Sequence, residues 1–172
     1  MDKIEKFIDK LNKSKKEMKF DLSKDEDLSI AVMNLVSIEE HFFFTAKKTG
    51  NDNYFNLLSE VRGMRQELMK KLVKEPEGEL WCITKHLLAA SMRLLEVGTK
   101  ELKNNNENVA KEMFEKSYNL YSLFWGLNLG MIKTGQIRSL GEGQPGTEDK
   151  TQKSAFAKLD QIVKKAIDCC LE

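Results

Sequence analysis

The sequence predicts an all-α fold: an up-down antiparallel four-helix bundle with two additional terminal amphipathic helices. Three observations predict it. Apolar residues recur at three- and four-residue steps over long stretches, and no run of β-branched residues alternates as a strand would. Leu, Lys, Glu and Met are abundant, and the chain has only two prolines. Short polar clusters, Thr49-Gly50-Asn51-Asp52 and Asn104-Asn105-Asn106, separate the periodic segments, and connections that short favour antiparallel neighbours. The 172 residues are read as a single helical domain, with a core bundle over 23–133, a loop over 134–150 and a C-terminal helix over 151–171.

Taken in order, residues 3–19 carry Ile4, Phe7, Ile8, Leu11 and Met18 at helical spacing. Ser23-Lys24-Asp25-Glu26 has the pattern of a capping box, in which Ser and Glu side chains each satisfy an orphan backbone N–H. It opens a long helix to about Lys48, which the Gly50 turn stops. The next helix runs to about Val73. Pro76 suits the first turn of a third long helix, with Glu77 and Glu79 placed where the helix dipole favours acids. That helix extends to about Leu102, and a fourth runs from about Glu107 to Lys133. The stretch 134–150 holds Gly135, Gly141, Gly143, Pro145 and Gly146 and reads as a loop. Phe156, Leu159, Val163, Ala166, Ile167 and Cys170 mark the final amphipathic helix.

In residues 91–124, Gly98, Ala110, Phe114 and Ser117 fall at small, small, aromatic and small positions. This segment resembles a single tetratricopeptide-type helical hairpin, in which small residues let two antiparallel helices approach closely. Leu94 stands where that motif has Trp, Glu101 where it has Tyr, and no second repeat is visible. The resemblance implies a hairpin. It implies neither a solenoid nor a function.

Composition excludes several classes. Acids and bases nearly cancel, with a net charge of +1, so nothing argues for a nucleic-acid groove or an acidic membrane partner. Lys10, Lys13, Lys15, Lys16 and Lys19 are interleaved with Asp9 and Glu17 and read as a solvated face. No apolar run reaches the ~20 residues of a membrane span, and the charged N-terminus has no secretory core. Cys82, Cys169 and Cys170 are a poor disulfide framework and fit reduced thiols, so a cytoplasmic location is expected.

Known chemical signatures fail on context. Gly141-Glu142-Gly143-Gln144-Pro145-Gly146 spells GxGxxG but follows a helix rather than a strand. Ferritin-like metal bundles need Glu-x-x-His, and the residues three before His41 and His86 are Ile38 and Ile83. Glu39 and His41 project about 160° apart on one helix and cannot share an ion. HEPN-type ribonuclease bundles carry Arg shortly before His, a spacing absent here. A Cys/His pair exists only as Cys82 and His86, without an orienting third group. No catalytic residue, cofactor or metal set is therefore expected; Trp81 and Trp125 read as core.

The informative residues are polar ones on apolar helix faces. Glu39 lies amid Leu28, Val32, Leu35, Phe42 and Ala46; Arg65 lies amid Tyr54, Leu58, Val61, Leu68 and Leu72. Thr84, Ser91 and Gly98 share the stripe of Leu80, Leu87 and Leu94. Ser117, Tyr121 and Asn128 share that of Met113, Phe124 and Trp125. Antiparallel packing predicts one layer of Glu39, Arg65, Thr84 and Asn128, and a second of Ser91, Ser117 and Tyr121. Two readings are open: a structural network that fixes register, or a pocket in which Arg65 holds an anion while Glu39 and Asn128 orient it. The first expectation is a non-enzymatic interaction or scaffold protein, a homo-oligomer or the partner of another helical protein, binding neither nucleic acid nor membrane. The alternative is a small anionic-ligand-binding protein or enzyme using Glu39, Arg65, Thr84, Ser91, Tyr121 and Asn128. A third is a mononuclear metal site including His86.

Overall fold

A computed structural model describes residues 22–73 and 79–132. Within them the protein is all-helical, with four helices: α1 (Ser23–Thr49), α2 (Asn53–Leu72), α3 (Glu79–Lys103) and α4 (Glu107–Asn128). The expected helices over 3–19 and 151–171, the loop over 134–150, Pro76 and the Cys169-Cys170 pair lie outside the described residues.

Each boundary has a local cause. At the start of α1 the capping position falls on Leu22, whose carbonyl accepts from the Glu26 N–H at 2.8 Å. Ser23 is thus the first helical residue rather than the cap, one residue from the expected boundary. Gly50 ends α1 at φ 68°, donating its N–H to Ala46 at 2.9 Å; a left-handed turn is what glycine adopts without a Cβ penalty. Asn51 Oδ1 then accepts from the Asn53 N–H at 3.0 Å, turning the chain into α2. Asn105, at φ 62°, makes the reversal between α3 and α4. α4 stops at Asn128, short of the expected Lys133, because Gly130 takes φ 67° and the Met131 N–H folds back on the Gly126 carbonyl at 2.9 Å.

These turns produce two antiparallel hairpins, α1 with α2 and α3 with α4, which meet through a shorter contact of α1 with α3. The apolar core gathers away from the two turns. Val32 and Met33 of α1, Met69 and Leu72 of α2, Leu88 of α3 and Phe124 and Trp125 of α4 form its centre. Toward the α3–α4 turn, Gly98, Ala110 and Ser117 are buried, and the tetratricopeptide-like close approach is present. A Cβ at Gly98 would stand 2.5 Å from Phe114 Cε1 and 2.7 Å from its Cδ1. The Phe114 ring therefore occupies the space a side chain would need.

Gly98→Ala is expected to destabilise the protein by about 1 kcal/mol or more. Overpacking costs ~1–3 kcal/mol, which exceeds the ~1 kcal/mol gained in helix propensity. Denaturant melts in a Phe114→Ala background check the cause: there the same change should be neutral or stabilising.

Candidate functional site

The polar residues singled out on the helix faces are buried, and the structure sorts them into three settings. Glu39, Arg65, Thr84, Ser91 and Asn128 are all buried, and Tyr121 is half-buried. The expected single layer of four does not form as one network. Thr84 Oγ1 donates back into its own helix, to the Leu80 carbonyl at 2.8 Å, the local bond that Thr readily makes within a helix. Asn128 Nδ2 donates to the Leu72 carbonyl at 3.1 Å, in the last turn of α2. Leu72 lies about two turns, roughly 10 Å, beyond Arg65, so Asn128 packs at a different level from the ion pair. Among the described residues, no hydrogen-bond partner reaches the buried Asn128 Oδ1 or Ser122 Oγ.

The second expected layer is partly assembled. Ser91 Oγ bonds to the Ser117 carbonyl at 2.9 Å, and Ser117 Oγ returns a bond to the Ser91 carbonyl at 2.7 Å. Tyr121 turns instead to α1, its hydroxyl 2.8 Å from Ser29 Oγ. Ser29 spends its proton on the Glu26 carbonyl at 2.7 Å, so Tyr121 is the donor in that pair. Burial pushes the Tyr121 pKa above the ordinary tyrosine value, and the Ser29 contact only partly offsets it. Ser91, Ser117 and Tyr121 line a largely apolar groove of about 420 Å³ with Ile30, Met33 and Leu95.

The charged site is built on Glu39. Arg65 Nε makes a direct ion pair with Glu39 Oε1, and Arg65 Nη2 reaches Oε2 at 3.5 Å. Arg65 Nη1 also contacts Met69 Sδ at 3.6 Å, which joins the pair to the core. A second guanidinium comes from one turn earlier on α2: Arg62 Nε donates to Glu39 Oε2 at 2.9 Å. The two arginines differ in setting, with side-chain exposures of 6% for Arg65 and 55% for Arg62. Burial pushes the Glu39 carboxyl up, but hydrogen bonds from Arg65 and Arg62 and their charges outweigh it. The net pKa lies below the ordinary glutamate value.

This carboxylate forms part of the wall of a cleft of about 670 Å³ between α1, α2 and α3. α1 contributes Glu40, Phe43 and Phe44, α2 contributes Arg62 and Arg65, and α3 contributes Trp81, Cys82, Lys85 and His86. Glu40 is itself engaged by Arg93 across the α1–α3 contact. Thr84 and Asn128 are not among the residues lining the cleft. His86 and Glu39 both line it, as the metal alternative required. Yet no group of three or more His, Cys, Asp or Glu able to hold an ion occurs among the described residues. Arg62, Lys85 and Ser29 were missed by the sequence reading. Arg62 carried a usable signal, because it precedes Arg65 by three and so shares its side of α2.

No protein-family model matches this chain, and no curated protein or solved structure is significantly similar to it. The tetratricopeptide-like resemblance of residues 91–124 is accordingly one of local packing. Among the described residues, no helix is long and apolar enough to cross a membrane.

Two outcomes follow from the Glu39 pairing. Arg65→Met should cost the more, up to about 3–5 kcal/mol, because it removes the buried guanidinium and leaves Glu39 only the half-exposed Arg62, whereas Arg62→Met should cost about 1 kcal/mol or less, as exposed pairs do. Urea melts of the two variants measure the difference. Because the folded pKa of Glu39 is depressed, its stabilisation is present above the unfolded value and is lost as pH falls through the folded one. Between about pH 6 and 3, the stability of Glu39→Gln should therefore fall less steeply than that of the wild type.

Proposed function

We propose that this protein binds a small organic anion in the cleft between α1, α2 and α3. In this reading it is a cytoplasmic protein whose four helices form an up-down antiparallel bundle, with two additional terminal amphipathic helices packed on it or exchanged with a partner chain. The observation that carries the proposal is the charge arrangement of the cleft wall. Its two carboxylates are already engaged, Glu39 by Arg65 and Arg62 and Glu40 by Arg93. Among the described residues Lys85, on the same wall, has no ion-pair partner, and Arg62 is half-exposed. Positive charge is thus in excess inside a concave site of ligand size, where neighbouring low-dielectric walls strengthen its field. The open aromatic surface of Phe43 and Phe44 beside it supports a ligand with an apolar body.

A second reading, a self-associating interaction protein, is favoured by a different observation. Ile30 and Leu95 are exposed on opposite sides of the largely apolar groove lined by Tyr121. Leu95→Glu should then lower the mass measured by light scattering at high concentration. A wild-type protein that stays monomeric throughout removes this reading.

Thermal melts in the presence of a panel of organic anions test the first. At one hundred times Kd, an anion held by the folded state should raise Tm by roughly 5–10 °C. The double variant Arg62→Met, Lys85→Met should melt within a few degrees of wild type and lose that response. Absence of saturable stabilisation by any organic anion rejects the proposal.

A further inference from the structure

The chemistry of the cleft narrows the ligand beyond its charge. We propose that the anion is a phosphate monoester joined to an aromatic or heteroaromatic ring, a ligand of nucleoside monophosphate size. The inference rests on the reading of this cleft as an organic-anion site.

The phosphate is argued from the number and placement of donors. Arg62 lies on the α2 wall, and Lys85 and His86 lie on the α3 wall. A carboxylate presents two coplanar oxygens and is satisfied by one guanidinium fork. A phosphate monoester presents three oxygens pointing apart and carries up to two charges, which suits donors on separate walls. Arg62 is free to serve it because its bond to Glu39 is redundant. Arg65 already holds Oε1 and reaches Oε2, so Glu39 stays paired when Arg62 turns to the ligand. The two acidic groups facing the cleft do not oppose this placement, because Arg65 neutralises Glu39 and Arg93 neutralises Glu40.

The ring is argued from the aromatic surface. Trp81 and Phe43 line the same cleft as the cations, and Phe44 is 60% exposed beside them. Phe43 and Phe44 meet edge-to-face, with centroids 5.3 Å apart, and both keep exposed ring surface. Among the described residues Trp81 makes no ring contact, whereas Phe124 and Trp125 meet edge-on within the core. A cleft of about 670 Å³ falls within the range of cavities that enclose a ligand of this size.

Isothermal titration of the full chain with AMP, adenosine, ribose 5-phosphate and benzoate tests the assignment. AMP should bind at least about tenfold tighter than adenosine, which lacks the phosphate, and than ribose 5-phosphate, which lacks the ring. It should quench tryptophan fluorescence in the wild type but not in Trp81→Phe, since the other tryptophan, Trp125, is buried in the core. Lys85→Met and Arg62→Met should each weaken AMP about tenfold and leave adenosine unchanged. A 5′-phosphorylated tetranucleotide that outcompetes AMP assigns the same unit to a strand end, and one that competes poorly assigns it to the free nucleotide; both uphold the class. Benzoate binding as tightly as AMP, or ribose 5-phosphate matching it, overturns this inference while leaving the organic-anion reading intact. If none of these anions binds and the wider panel gives no stabilisation, both fall together.

Discussion

The register of α1 against α2 depends on one constraint: Glu39 and Arg65 are buried together and neither tolerates burial alone. An unpaired ionised group inside a protein costs several kcal/mol even after relaxation, so the pair admits one register of α1 against α2. A one-turn slip would leave a carboxylate on one helix and a guanidinium on the other, each facing apolar side chains. The Gly50 turn makes the pairing reachable, because the two residues lie at similar distances on either side of it. The Nη1 contact with Met69 then carries this register into the apolar core. The pair is not required to be the most stable filling of that space. Its consequence is specificity, since it rejects the alternatives.

The same logic recurs along the structure in weaker form. Ser91 and Ser117 exchange bonds within the second hairpin. Between the hairpins, Tyr121 reaches Ser29 and Asn128 reaches the end of α2. Each bond contributes only about 1 kcal/mol, but each leaves a buried donor or acceptor stranded when the helices shift. A seam of small polar residues also brings helix backbones closer than Leu or Phe would, which the Gly98–Phe114 contact shows directly. The seam has a cost in apolar burial. With inner positions given to Ser, Thr, Glu and Arg, several large hydrophobic residues, Ile30, Ile38, Phe43 and Leu95 among them, are left exposed.

How much of this was legible in the sequence follows from which features are local. Helical periodicity, the Gly50 and Asn105 turns and the burial of Glu39, Arg65, Ser91 and Asn128 are properties of one helix at a time, and they were readable. The Glu39–Arg65 meeting was readable too, because a tight turn fixes the register of the helices it joins. What failed needed the relation between the two hairpins. Thr84 and Asn128 were assigned to the Glu39 level by counting from turns. That count holds within a hairpin but not across the α2–α3 connection. Arg62 and Lys85 were passed over because both lie off the inner stripe. Their importance comes from the cleft, which exists only after three helices are placed. Trp81 was read as core, and it does pack against the core, but it also lines the cleft.

That cleft is a product of the packing defect it occupies. α1 and α3 touch over a short length, and the wedge beside their contact is not filled by large apolar side chains. On the α3 side Ala89 and Cys82 are small residues that leave space between the larger Trp81, Lys85 and His86. Closing it with Leu or Phe would bury more apolar surface and raise stability, so its retention calls for a reason other than folding. The two arginines divide the work accordingly. Arg65, buried and joined to Met69, is committed to the fold. Arg62, half in water, holds the same carboxylate through a bond the fold does not need. A carboxylate with one buried and one exposed guanidinium gives the site a cation whose departure leaves no buried charge unpaired. In this way the constraint that sets helix register also supplies a movable charge at the mouth of the cleft.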